Sequence, residues 1–227
     1  MKKKTFYTEL SYILGILAFA LGTSLMEKAN FGMSMVTAPA YLIYLKISKY
    51  LAFFTFGMAC YVFQLLLIIL LIVILRKAKL SYLFSFFTAV FFGVALDGIE
   101  LMLSLLPTAY LALRVIYFVL SVLVIAMGVS LIFHTYIPPE AYELFVKEIA
   151  IAKNLNINVF KTVYDISSLV LSVCLSFTFF GMGQFVGIHF GTIICAIMNG
   201  FMISRFSKFF NDNFKFKDKL PLRKYVQ

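Results

Sequence analysis

Residues 50–75, YLAFFTFGMACYVFQLLLIILLIVIL, hold no charged side chain, and Gln64 is their one amide. About 20 apolar residues suffice for a helix to cross the hydrocarbon layer of a bilayer. Within lipid the backbone must satisfy its own hydrogen bonds, which excludes a lone strand and leaves a helix. Working outward, comparable runs occur at 10–26, 80–103, 109–133, 160–180 and 186–205. The chain therefore reads as all-α, a polytopic transmembrane bundle of six helices.

Composition agrees with this reading. Of 227 residues, 63% are hydrophobic and 13% charged, against about 25% charged in soluble domains, and the mean hydropathy is +0.98. A single membrane domain covers 1–227, with half one at 10–106, half two at 109–205 and a basic tail at 206–227. The net charge of +10 does not signal nucleic-acid binding, because the basic residues flank apolar runs instead of forming a face on a soluble module. MKKK followed by the run from Leu10 to Met26 imitates a signal peptide but lacks an A-x-A-like cleavage site, so it reads as the first span. Cys60, Cys174 and Cys195 follow no zinc-ligand or CxxC spacing and read as small core side chains; no metal or cofactor is implied.

Cytoplasmic loops carry an excess of Lys and Arg. With the N-terminus inside, six spans place Lys2, Lys3, Lys4, Arg76, Lys77, Lys79, Lys147, Lys153, Lys161 and the tail residues from Arg205 to Lys224 on the inner side. Only Lys28, Lys46, Lys49 and Arg114 fall outside, a sixteen-to-four division that five or seven spans do not reproduce. Both termini are thus expected in the cytoplasm. Residues 29–45 lack a charge only as far as Leu45 and include Asn30, Gly32, Ser34, Thr37 and Pro39, which favours a re-entrant or interfacial outer segment over a seventh span. On the other side, IPPEAYELFVKEIAIAKN (137–154) reads as an amphipathic helix lying along the inner leaflet.

The two halves share a weak repeat at an offset of 106 to 107 residues. Gly22, Ser24 and Leu25 match Gly128, Ser130 and Leu131, and Ser85, Ala89, Gly93 and Asp97 match Thr192, Ala196, Gly200 and Ser204. Three spans per half make such a repeat inverted, an architecture common among secondary transporters.

GTSLMEKANFGMS (22–34), GVALDG (93–98), VFKTVYDISSLVLSVCLSFTFFG (159–181) and VGIHFGTIICAIMNGF (186–201) resemble the YczE/YyaS/YitT-type bacterial membrane proteins over most of residues 10–205. The resemblance implies a multi-pass protein of the bacterial inner membrane with duplicated halves, and no established substrate. The chain departs from that pattern at Ser34 and Met35, where relatives often carry glycine and proline, and at His189 and Phe190, where they carry a basic and an acidic residue.

Ionisable residues within spans are costly, about 2.5–3.5 kcal/mol at a helix centre on insertion scales. Asp97 and Glu100 share a face of the third helix with Arg114 across a turn, which reads as a cation or proton site or as an outer salt-bridge cluster. Lys161 and Asp165 are four apart near the inner end of the fifth helix; Lys161 reads as snorkelling to the interface, and Asp165 as lining a polar cavity or packing in place. Gln64, His189 and Asn199 are interhelical hydrogen-bonding groups or solute contacts. Gly183, Gly187 and Gly191, and separately Gly93 and Gly200, read as close-packing positions between helices.

No HExxH, GxSxG or Walker-type motif is present, so no catalytic residue is expected and the chain does not read as an enzyme. The leading expectation is a secondary transporter or permease for a small solute. The alternatives are a non-transporting membrane partner or accessory protein, and, third, an intramembrane enzyme. Partners are the lipid bilayer, a small solute or ion, and a second copy or another membrane protein.

Overall fold

The computed structural model describes residues 3–220 and Arg223. Lys2 and Lys224, part of the charge argument, lie outside the described residues. Six helices are long and apolar enough to cross a membrane: α1 (Thr8–Ala29), α3 (Phe56–Leu75), α4 (Leu80–Leu103), α5 (Leu111–Phe133), α7 (Ile157–Phe180) and α8 (Phe190–Asn213). Two short helices, α2 (Ala38–Ile47) and α6 (Ala141–Ala152), interrupt the series. At a 1.5 Å rise per residue, α2 covers only about 15 Å and cannot span, in line with the re-entrant or interfacial expectation for this region.

The bundle is built around the crossing of α1 and α5. Small residues let the two backbones meet: a Cβ on Gly15 would stand 2.9 Å from Gly128 O, one on Gly128 2.7 Å from Gly15 O, and one on Gly22 3.0 Å from Ser121 O. Around this pair, α4 packs on α1 and α8 on α5, while α2 lies between α3 and α7, and α6 likewise contacts both α3 and α7. α3 also packs along α4, where Gly57 and Gly93 sit backbone to backbone. α7 and α8 do not pack along each other among the described residues, and a crevice separates them.

α6 departs from the expected course along the inner leaflet. Its first N–H, from Ala141, donates to Gln64 Oε1 at 2.9 Å, and Gln64 lies about 12 Å from one end of α3 and about 16 Å from the other. The helix therefore begins level with the middle of α3 and runs back toward the side it came from. Its face of Ala141, Tyr142, Leu144, Phe145, Val146, Ile149 and Ala150 is buried against neighbours, so the amphipathic pattern reports protein packing and not a lipid surface. At its far end Glu148 pairs with Lys79 at 2.5 Å, tying it to the start of α4.

The loop before α2 dips in a similar way. Ser168, midway along α7, donates to Met35 O at 2.8 Å. Gly32, at φ +107°, has no room for a side chain: a Cβ would stand 2.7 Å from His189 N.

The termini lie together. β1 (Lys4–Tyr7) and β2 (Phe214–Lys217) form a parallel pair, and Glu9 accepts hydrogen bonds from the Lys219 and Leu220 amides at 3.0 and 2.8 Å. The tail is thus bound to the bundle end, beyond the plain charged tail expected from composition. This side is called the terminal side below, and the opposite one the distal side.

Replacing Gly15 or Gly128 by Val is expected to lower stability by about 1–3 kcal/mol through overpacking. Gly98→Ala, at a helical position with open space beside it, is expected to be neutral or slightly stabilising. Thermal unfolding of the detergent-solubilised protein distinguishes the two classes.

Candidate functional site

Two cavities gather most of the acidic side chains within the bundle. The first, about 280 Å³, lies in the crevice between α7 and α8 and is walled by α5, the start of α6 and the Ser34–Val36 loop. Its apolar wall includes Phe19, Ile125, Val129 and Ile132; its polar groups include Glu140, Tyr142, Glu143, Lys161, Asp165 and Asn199. Both irregular segments, the loop before α2 and the turn before α6, reach this one space.

Glu140 is the central polar residue. It is 4% exposed and sits at the N-cap position of α6. The fully buried Gln64 donates through Nε2 to Glu140 Oε2 at 3.0 Å while its own Oε1 accepts from Ala141 N–H. Gln64 thereby uses both ends of its amide to hold α6 at mid-depth. The Pro138 and Pro139 carbonyls accept from Thr88 and Ser85 at 3.0 and 2.7 Å, so the turn's backbone is satisfied by α4. Glu140 Oε1, by contrast, meets no hydrogen-bond partner. Burial pushes the Glu140 carboxyl well above the usual carboxylate range, the Gln64 hydrogen bond opposes that shift, and nearby Glu143 adds to it.

Asn199, on α8 across the crevice, also leaves its Oδ1 without a partner. Lys161 forms an ion pair with Glu143 of α6. Asp165 lines the cavity as a third acidic group beside that pair.

The second cavity, about 390 Å³, lies on the distal side and is lined by Glu27, Lys28, Asn30, Tyr41, Glu100, Thr108 and Arg114. It divides the expected Asp97, Glu100 and Arg114 cluster. Asp97 accepts from Thr55 Oγ1 at 2.6 Å and from Gly57 N–H at 2.7 Å, fastening the N-terminus of α3. Arg114 donates to the Ala29 and Asn30 carbonyls at 2.8 and 3.0 Å, closing the C-terminus of α1, a favourable place for a cation. Glu100 instead faces Glu27, which the sequence reading had placed beyond the first helix.

His189 caps α8 and its Nδ1 lies 2.7 Å from Ile188 O; it lines neither cavity. Gly191 packs against the Phe31 carbonyl and Gly93 against Gly57, as close-packing positions do. Gly183 and Gly187 precede α8, in an irregular stretch where both have positive φ; Gly187 is still a close contact, a Cβ there standing 2.9 Å from the Tyr41 ring, whereas Gly183 meets nothing within 4 Å and is a correction. The four-residue glycine spacing is therefore turn chemistry there, since a helix needs negative φ. Gly200 is a further correction, because it meets nothing within 4 Å and opens onto the crevice.

Glu140 was not among the residues singled out from sequence. The signal for it was the Pro-Pro-Glu triplet itself, an acid at the point where an apolar helix stops and a short one starts.

The chain belongs to a family of unknown function, DUF6198, whose model matches residues 6–208. No curated protein and no solved structure matches it. The protein is thus a helical membrane protein of an uncharacterised family.

Because the folded protein holds the Glu140 proton to higher pH than the unfolded chain does, stability falls as pH rises from the ordinary glutamate value of 4.5 toward the raised one. Unfolding measured over a pH series is expected to show this slope in the wild type and a shallower one in Glu140→Gln. Asp97→Asn is expected to cost about 1 kcal/mol of stability, as for loss of a helix cap, while leaving the α7–α8 crevice intact.

Proposed function

We propose that the protein is a secondary transporter or permease for a small solute, acting in the bacterial inner membrane with both termini in the cytoplasm. The observation that carries this reading is one cavity at mid-depth bounded by the start of a short re-entrant helix, α6, and by the dipping loop before α2. Irregular backbone at membrane depth is tolerated where it is buried in protein or lines a cavity. Transporter sites are typically built from such broken segments near the midplane.

The packing supports an inverted repeat. A shift of 106 residues carries Gly15 to Ser121 and Gly22 to Gly128. The close contacts Gly15–Gly128 and Gly22–Ser121 are then images of each other. Exchanging the halves likewise maps α1–α4 packing onto α5–α8, α2–α3 onto α6–α7, and α2–α7 onto α6–α3. The relation fails at two places: α3 packs along α4 while α7 and α8 are apart, and α6 touches α4 with no matching α2–α8 packing among the described residues. Two halves of like design in unlike states, one closed and one open, are what alternating access requires. The YczE/YyaS/YitT resemblance fits the same reading, and we take the chain to act without a catalytic step of its own.

Reconstitution in proteoliposomes with a panel of small solutes tests this. Saturable flux is expected, abolished by Gly200→Trp, which fills the crevice, reduced by Asp165→Asn, and retained in Asp97→Asn. Absence of flux for every solute, with folded protein in the vesicles, shifts the reading to a membrane partner.

A further inference from the structure

We propose that the α7–α8 cavity binds a small organic monocation, an ammonium group on an apolar body, between Glu140 Oε1 and Asn199 Oδ1. This deepens the transporter reading and rests on its assignment of the crevice as the solute site.

Among the described residues, three polar atoms of the lining have no partner: Glu140 Oε1 and Asn199 Oδ1, which accept, and the Tyr142 hydroxyl, which can donate or accept. Glu140 Oε1 and Asn199 Oδ1 meet no donor, and Glu140 is buried beyond nine-tenths. A buried acceptor without a donor forfeits about 1–3 kcal/mol, and more if it is charged. The two oxygens on opposite sides of the crevice, Glu140 Oε1 and Asn199 Oδ1, are both open to an N–H donor.

Charge gives the same sign. Lys161 is the one basic residue of the lining, and Glu143 already neutralises it. Glu140 and Asp165 form no ion pair among the described lining residues, Lys161 acting on Asp165 only through space, and the four charged groups leave an excess of acid. An anion would meet both, whereas a cation would offset them.

Shape and polarity separate an organic cation from a bare metal ion. Calcium takes about 6–8 oxygen ligands, more than the free acceptors here supply. Phe19, Ile125 and Ile132 instead give an apolar wall suited to a hydrocarbon body. The volume, about 280 Å³, suits a ligand at the small end of the usual range.

Occupation by a cation and by a proton are alternatives at Glu140. The titratable groups around it are Tyr12 on α1, Cys60 on α3, Tyr142 and Glu143 on α6, Lys161 and Asp165 on α7 and Cys195 on α8. Of these, Lys161 and Glu143 cancel as a pair, which leaves Asp165 as the other acid that a pH change reaches in this cavity. Cation binding should therefore weaken as pH falls.

The test is calorimetric titration of the detergent-solubilised full chain with butylammonium, and with butanol and butyrate as neutral and anionic counterparts, at mildly alkaline pH. Saturable binding of butylammonium alone is expected. Glu140→Gln should weaken it about tenfold or more, the scale of one hydrogen bond to a charged group, and Asn199→Asp should strengthen it. If Glu140→Gln does not fold, the Asn199→Asp gain decides the matter. Failure of butylammonium to bind, equal binding of butanol or butyrate, or undiminished binding by a folded Glu140→Gln overturns the proposal. Butylammonium that binds but is not carried across vesicles overturns the transporter reading and leaves the site. Flux of other solutes without butylammonium binding does the reverse.

Discussion

Backbone polar groups that stop being helical inside an apolar bundle must find partners there, and the arrangement at mid-depth follows from how they do so. Gln64 supplies the main solution by gripping Ala141 N–H and Glu140 together. Ser85 and Thr88 hold the two proline carbonyls, and Ser168 does the same for Met35 across the bundle. Each is a small or neutral side chain whose burial is inexpensive once bonded. With these contacts made, α6 can begin in the middle of the structure. Its N-terminus brings an acid to a depth where a carboxylate on a continuous span would be hard to accommodate.

The α1–α5 crossing provides the rigid frame for this. Glycines at the contact bring two backbones together, so the helices that flank them, α4 and α8, are set at fixed positions on either side. α3 then closes on α4 through Gly57 and Gly93, and α7 has no such partner in α8. Gly200 stands where a matching contact would form and finds open space. The cavity is thus the consequence of one helix pair left unpacked, lined on the inside by the polar groups that hold the irregular segments.

The polar residues divide by role along the same lines. Asp97 and Arg114 are spent on helix termini, each satisfying groups that a helix end leaves open. Lys161 is neutralised by Glu143. Among the groups with unused capacity are Glu140, Tyr142 and Asn199, all of which line the crevice. Chemistry concentrates where the capping and pairing demands of the fold have not consumed it.

The amino-acid sequence by itself determined the six spans, because a long apolar run has only one way to satisfy its backbone in lipid and hydropathy records that directly. It also favoured a re-entrant or interfacial course over a span for residues 29–45, since their polar and proline content is local information. It showed Gln64, Asp165 and Asn199 as expensive residues in need of partners without naming those partners. Only the tertiary structure decided that Asp97 and Arg114 close helix ends, that Gly183 and Gly187 are turn residues, and that α6 turns into the bundle. An amphipathic face looks the same in sequence whether its apolar side meets lipid or α3. Glu140 was hidden for that reason: its importance comes from depth and from an unpaired oxygen, and both depend on contacts with residues far away in the chain.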